Sequence, residues 1–159
     1  MRWISEFLFS VCWRYSEVMR SFLLSLALTG FLFASAAIAE PPTILTGQVT
    51  KVRDGDTIEV GRIPIRLNGV SAPEMNEPLG PKSKAFMVDL VMGKRVHCEL
   101  NGKKTHDRYV GICYLKGEDI GMVVIKGGLA LDCPRYSGGQ YQAAEKAEAR
   151  RRIKLPGYC

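Results

Sequence analysis

The sequence predicts a mainly β domain with helices packed on it (α+β), namely a five-stranded Greek-key barrel of OB type carrying about three α-helices. Three observations predict it. Short apolar segments with a two-residue period come first, a single proline-opened helical segment follows, and two further strands precede the remaining helices. After a lead-in at residues 40–46, strands are expected at Gln48–Arg53, Asp56–Val60 and Ile63–Asn68. In the third, Ile63, Ile65 and Leu67 alternate with Pro64, Arg66 and Asn68, so Arg66 faces away from the side that Ile65 and Leu67 bury. Gly61-Arg62 is a short hairpin link. Pro81 opens a helix to about Met92, with Ala85, Val88 (or Phe86), Leu90 and Val91 on its apolar side. Strands at Arg95–Leu100 and Tyr109–Leu115 flank a polar loop, Asn101–Arg108. A short helix fits Asp119–Lys126, stopped by Gly127-Gly128, and a last one fits Gln140 to about Ile153, before Pro156-Gly157. From pattern alone an unrelated α+β sandwich is the alternative.

The chain has 159 residues, room for one domain. Its start differs in character from the rest. Arg20 precedes an uncharged apolar run, Phe22–Phe33, which gives way to small residues ending in Ala37-Ile38-Ala39, the A-x-A form of a cleavage site. Residues 1–39 are therefore read as a secretory signal peptide with a long n-region, Met19 being the alternative start, and residues 40–159 as the mature domain. The rival reading is a membrane anchor, since Phe22–Ala39 is 18 uncharged residues long. Loss of the leader's three arginines and two glutamates takes the formal charge from +6 to +5. A basic exported domain favours polyanions, nucleic acid or anionic lipid. Of five cysteines Cys12 leaves with the leader, and the even remainder reads as two disulfides in a periplasmic or secreted protein. A zinc site would need other ligands, but there is no C-x-x-C and only His97 and His106 are at hand.

Three clusters hold chemistry-bearing residues. Asp54-Gly55-Asp56-Thr57 sets two carboxylates in a turn, and Ile58 at the fifth loop position excludes an EF-hand start. Arg66-Leu67-Asn68-Gly69-Val70-Ser71-Ala72-Pro73-Glu74 places an arginine at a strand end and a carboxylate eight residues on. Thr105-His106-Asp107-Arg108-Tyr109 is a charged loop tip with an aromatic. Singly, each is an ordinary surface feature. In this order, together with Gly80-Pro81, Ala85-Phe86, Gly128-Leu129-Ala130 and Lys146-x-Glu148-Ala149, they resemble the staphylococcal nuclease-like (thermonuclease) family over Gly47–Leu155.

That resemblance implies an OB-fold and phosphodiester hydrolysis, usually with calcium. Residue by residue, it implies Asp56 as a metal-ligand carboxylate with Asp54 just outside the ligand set. It implies Glu74 as the general base and Arg66 as one of two phosphate-binding arginines. The chemistry needs such a set: a positioned water, a base in reach of it, and cationic forks on the phosphate oxygens. The chain departs from the family pattern twice. Ser71 stands where a second metal carboxylate is usual, so a calcium ion would be weakly bound. No Y-G-R arginine follows Tyr109, and Arg108 is the candidate replacement. Tyr109 and Tyr136 are candidates for stacking on bases, against the alternative that they pack on the barrel. Arg150, Arg151 and Arg152 read as a solvated helix end or as phosphate-backbone contacts. The expected activity is an exported, metal-assisted endonuclease acting as a monomer on single-stranded or loosely paired DNA or RNA. Its rivals are a nuclease-like module that binds without cleaving and an envelope-interaction domain.

The disulfide pairing follows from the hairpin. The midpoint of Cys98 and Cys113 falls between Thr105 and His106, inside the predicted loop, so a symmetric hairpin without a bulge sets the two cysteines opposite each other. Cys133 and Cys159 then pair, tying the segment after the last helix back to the one after Gly128.

Overall fold

The computed structural model describes residues 43–159. The leader read at residues 1–39, with Cys12 and Met19, lies outside the described residues. Strands β1 (Thr43–Val52), β2 (Thr57–Val60) and β3 (Ile63–Leu67) form an antiparallel meander. The two-residue strand β4 (Val70–Ser71) and helix α1 (Gly80–Val91) follow, then the long hairpin of β5 (Arg95–Thr105) and β6 (Arg108–Leu115). β5 pairs antiparallel with β1, and β6 closes the barrel by pairing parallel with β3 through Ile65↔Tyr109, Arg66↔Val110 and Leu67↔Gly111. The result is a closed five-stranded mixed barrel in the order β3-β2-β1-β5-β6. The short strand β7 (Glu118–Asp119) pairs with β6, and β8 (Leu131–Asp132) pairs with β4 outside the barrel. Helices α2 (Ile120–Lys126), α3 (Pro134–Ser137) and α4 (Ala147–Arg152) complete the domain, with a 3₁₀ turn at Gln142–Ala144. Among the described residues no helix is long and apolar enough to cross a membrane.

The strand pleat builds the core. Ile58, Ile65, Val96 and Cys98 point inward and are essentially inaccessible to water. In β1 the buried residues Val49 and Val52 are three apart rather than two, because the register with β2 shifts between Val49 and Lys51. α1 lies over the barrel with Ser83, Met87 and Val91 buried, four residues apart on one stripe. The stripe thus runs through Met87 rather than Ala85, which is exposed, while Phe86, Val88 and Leu90 are partly buried beside it. Asp119 caps α2, its Oδ1 accepting from the amides of Gly121 (2.8 Å) and Met122 (3.2 Å). Gly128, at φ +74, ends it by donating to the Ile125 carbonyl.

The hairpin loop and the last helix also differ from the sequence expectation. The predicted loop Asn101–Arg108 is mostly strand: β5 and β6 run to Thr105 and Arg108, with only His106 and Asp107 at the tip. At the tip Thr105 faces Arg108, whereas further down Cys98 faces Cys113. Continuing the tip register would set Cys98 against Leu115. Two extra β5 residues between Leu100 and Lys104 shift it back, so the cysteines meet through a bulge and not through the symmetry of the loop. Both are fully buried in the barrel and joined by a disulfide.

The other difference is the last helix, which is divided. Glu145 and Lys146 are extended between the 3₁₀ turn and α4. Tyr141, Glu145, Ala149 and Ile153 all face inward, at four-residue intervals; Tyr141 is 1% exposed and the Glu145 side chain 4%. On an unbroken helix each step of four overshoots a full turn by about 40°, so the fourth member would be rotated by about 120°. The break resets the phase. It also lets Glu145 Oε1 accept from the Asp132 amide at 2.6 Å while its other oxygen pairs with Arg150.

Candidate active site

The D-G-D turn between β1 and β2 sets the site's acidic centre. Asp54 Oδ1 accepts from the Asp56 amide (3.0 Å), a local bond that closes the turn and aims the Asp56 side chain inward. Gly55 is required there by space: a Cβ would lie 1.9 Å from Ser83 Oγ and 2.7 Å from Ala72 Cβ. The turn is therefore pressed against both α1 and the segment after β4 that leads to Glu74. Asp56 is 5% exposed, and both of its carboxylate oxygens have protein partners. Oδ2 accepts from the Ala72 amide (2.9 Å), and Oδ1 accepts from the Thr57 hydroxyl (3.1 Å) and forms an ion pair with Arg66 Nη1. Nη1 is buried in that pair without a directed hydrogen bond.

Arg66 lies on the outer face of β3, between Ile65 and Leu67, which enter the core. Its cross-strand neighbours are Thr57 on β2 and Val110 on β6. Burial, and then the neighbouring Arg108, push its guanidinium below the ordinary value, while Asp54, Tyr158 and Glu74 act to hold it up. Arg108, the first residue of β6, donates from Nη1 to Thr57 Oγ1 at 3.1 Å. The fully buried Thr57 hydroxyl thus accepts from Arg108 and donates to Asp56, linking both arginines to one carboxylate.

Arg66 and Arg108 open into a cleft of about 570 Å³, where Asn68, Lys104, Tyr136 and Tyr158 also contribute to the walls. Its far wall is braced. Asn68 Nδ2 donates to the Tyr136 carbonyl (3.1 Å), and the Cys133 amide donates to the Gly69 carbonyl (2.8 Å). Tyr136 is 50% exposed at the cleft. Tyr109 lies on the opposite side of β6 from Arg108 and Val110, packed on the core with Lys104 Nζ 4.3 Å from its ring centroid. Glu74 is exposed just after Pro73; its amide donates to Glu77 Oε2 (2.7 Å) and its carbonyl accepts from the Glu77 amide (2.9 Å). A Cβ on Gly80 would sit 1.9 Å from that carbonyl, so only glycine lets α1 start this close to Glu74. Arg135, Tyr158, Asn68 and the hairpin lysines were not singled out from the sequence. Arg135 and Tyr158 flank Cys133 and Cys159, so the pairing of those cysteines was the signal that brings them together.

Calcium is the cofactor the family resemblance implies, and the donor set does not fit a tightly held ion. Such a cation takes about six to eight oxygen ligands. Among the described residues no three His, Cys, Asp or Glu side chains converge, and both Asp56 oxygens already accept from protein donors. Ser71 adds a neutral hydroxyl at most.

The fold and cleft define a small closed-barrel protein with two arginines, Arg66 and Arg108, lining one cleft. The match to the family model described as "Staphylococcal nuclease homologue" covers residues 64–154, and the chain belongs to that family. It is 32% identical over 140 residues to an "Uncharacterized endonuclease" of Haemophilus influenzae, an alignment spanning 84% of this chain and 77% of the relative. A like-named protein of Escherichia coli O157:H7 is 31% identical, with 65% of this chain and 71% of the relative covered. The succinoglycan biosynthesis protein ExoI of Rhizobium meliloti is 30% identical, with 70% of this chain but only 62% of the relative covered. The protein is a nuclease.

Proposed function

We propose that the protein is an exported endonuclease that cleaves single-stranded or loosely paired DNA or RNA, with Glu74 as general base and Arg66 and Arg108 on the phosphate. The observation that carries this reading is the shared cleft. Two arginines on neighbouring strands are held by one buried threonine–aspartate pair and open toward a single space. Glu74 takes a proton from the attacking water, whose oxygen bonds to phosphorus as the P–O bond to the leaving group breaks. The leaving oxygen is protonated from solvent. Arg66 and Arg108 stabilise the negative charge that builds on the equatorial oxygens. Arg108 supplies the second cation that the missing Y-G-R arginine supplies elsewhere in the family.

The leader at residues 1–39 and the two disulfides, Cys98–Cys113 and Cys133–Cys159, support a periplasmic or secreted location. Calcium would find Asp56 as its main carboxylate ligand, with weak affinity as the expected consequence. The test is cleavage of labelled single-stranded DNA, duplex DNA and RNA by the oxidised protein, with calcium titrated against chelator. Arg66→Ala and Arg108→Ala are expected to lose about a hundredfold or more in rate each. An Arg108→Ala enzyme as fast as the parent would remove Arg108 from the reaction.

A further inference from the structure

We propose that Tyr158 is a substrate-binding residue, one of two aromatic walls for an unpaired nucleobase, and that the Cys133–Cys159 disulfide holds it in place. This rests on the nuclease reading of the cleft and extends it to the chemistry of the polymer bound. Tyr136 and Tyr158 both line the cleft and each is 50% exposed, a large share for an aromatic ring in a folded domain. They stand with Arg66, Arg108 and Arg135 around the same space. Cations that hold phosphates beside exposed rings are how single strands are gripped, because an unpaired base has a free face to stack. In a duplex both faces of each base are already covered, so the two rings select single-stranded substrate.

Little besides the disulfide fixes Tyr158. The segment from Lys154 to Cys159 belongs to no helix or strand. Its backbone is tied by the Cys159 amide to the Pro156 carbonyl (3.0 Å) and by the Arg135 amide to the Cys159 carbonyl (3.3 Å). The covalent tie is the Cys133–Cys159 bond, which anchors the residue after Tyr158 directly at the start of α3. That bond also sets the distance between Tyr158 and Tyr136, three residues beyond Cys133. With it open, the segment is free to swing away and the cleft loses one wall. Binding of single strands thereby depends on an oxidised Cys133–Cys159 pair.

The experiment measures dissociation constants by fluorescence anisotropy, with a labelled ten-nucleotide single-stranded DNA and a labelled duplex, in chelator so that turnover is suppressed. Tyr158→Ala is expected to weaken single-strand binding about ten- to a hundredfold, the loss of one base stack, and duplex binding less than threefold. Tyr158→Trp should restore single-strand binding. The double variant Cys133→Ala/Cys159→Ala, which leaves Cys98–Cys113 intact, should weaken it as much as Tyr158→Ala does. Adding Tyr158→Ala to that variant should change nothing further. Should the double variant lose its folded circular dichroism spectrum, Tyr158→Ala alone decides. Equal single-strand affinity of Tyr158→Ala and the parent overturns the proposal, as does an equal loss on single strand and duplex. If the parent cleaves nucleic acid and the variant binds normally, only Tyr158 is refuted. A parent that neither binds nor cleaves refutes the reading of the cleft as well.

Discussion

Replacing Asp56 by asparagine removes a single charge from the centre of the site, and the structure sets the size of the effect. The carboxylate accepts from the Ala72 amide and the Thr57 hydroxyl and pairs with Arg66, whose side chain keeps 17% of its exposure. An asparagine can still accept on one side. On the other it turns an NH₂ toward the Thr57 hydroxyl or the guanidinium, donor against donor. Breaking a fully buried ion pair by losing one partner costs about 3–5 kcal/mol. Water reaches the outer edge of Arg66 and discounts that figure to about 2–4 kcal/mol. With a urea dependence of about 2 kcal/mol per molar, the unfolding midpoint should fall by about 1–2 M at unchanged slope. Arg66→Met should also destabilise, and the double variant should cost less than the sum of the singles by about 0.5–3 kcal/mol, since the orphaned charge has gone. A midpoint shift of Asp56→Asn below about 0.3 M would refute the reasoning. It would mean that the pair is solvated and that Asp56 does not hold Arg66 in place.

Glu74→Gln should lower the cleavage rate by about two to four decades, the usual range for removing a general base, with oligonucleotide affinity nearly unchanged; an unchanged rate removes Glu74 from the reaction. Because Ser71 precedes the residue that bonds Asp56, Ser71→Asp should lower the calcium concentration that gives half-maximal activity, and a flat response counts against Asp56 as a ligand. Hydrogen bonds from Arg53 hold the Glu59 and Asp107 carboxyls below their ordinary values, so their stabilisation is complete above those values and is lost as pH falls through the lowered ones. Melting temperature should therefore decline as pH drops below Glu59's ordinary 4.5, and Arg53→Ala should flatten that decline; an identical pH profile in the variant excludes the contribution.

The motifs were legible because each carries a local requirement that the fold then satisfies at one place. Gly55 has no room for a Cβ beside Ser83 and Ala72, Ser83 Oγ donates to the Leu129 carbonyl (2.9 Å), and Gly80 admits α1 against the Glu74 carbonyl. The D-G-D, P-E, G-P and G-L-A signatures thus meet around the start of one helix. Period-two alternation likewise located β3 and the outward face of Arg66. Periodicity was blind where tertiary demands overrode it. The stretch from Gln140 to Ile153 has helical composition throughout, yet four inward side chains at intervals of four cannot share one face of an unbroken helix. The lead-in at residues 43–47 lacks a strong strand pattern and becomes strand because β5 offers it a pairing edge, Thr43↔Leu100 through Gly47↔Val96. The cleft wall built from Arg135 and Tyr158 was illegible to any local rule, since it exists through a bond across 26 residues.

The placement of Arg108 in the cleft follows from the same register. An arginine two residues after Tyr109 would fall at position 111, on the core side of β6. A Cβ there would lie 2.6 Å from the Glu99 carbonyl and 2.9 Å from Leu100 Cδ2. Gly111 also pairs with Leu67 on β3 and Leu100 on β5, so the strand cannot bulge away without opening the barrel. On this strand a cation can reach the cleft only from the face that carries Arg108 and Val110. Arg108 is the cation on that face, next to the hairpin tip, and Thr57 receives its guanidinium. With the tip reduced to His106 and Asp107, and Asp107 bound to Arg53 at 2.7 Å, the hairpin leaves no free loop from which another arginine could approach. An arginine in the Y-G-R position thus has no room in this tight hairpin, and the same hairpin puts Arg108 in one cleft with Arg66.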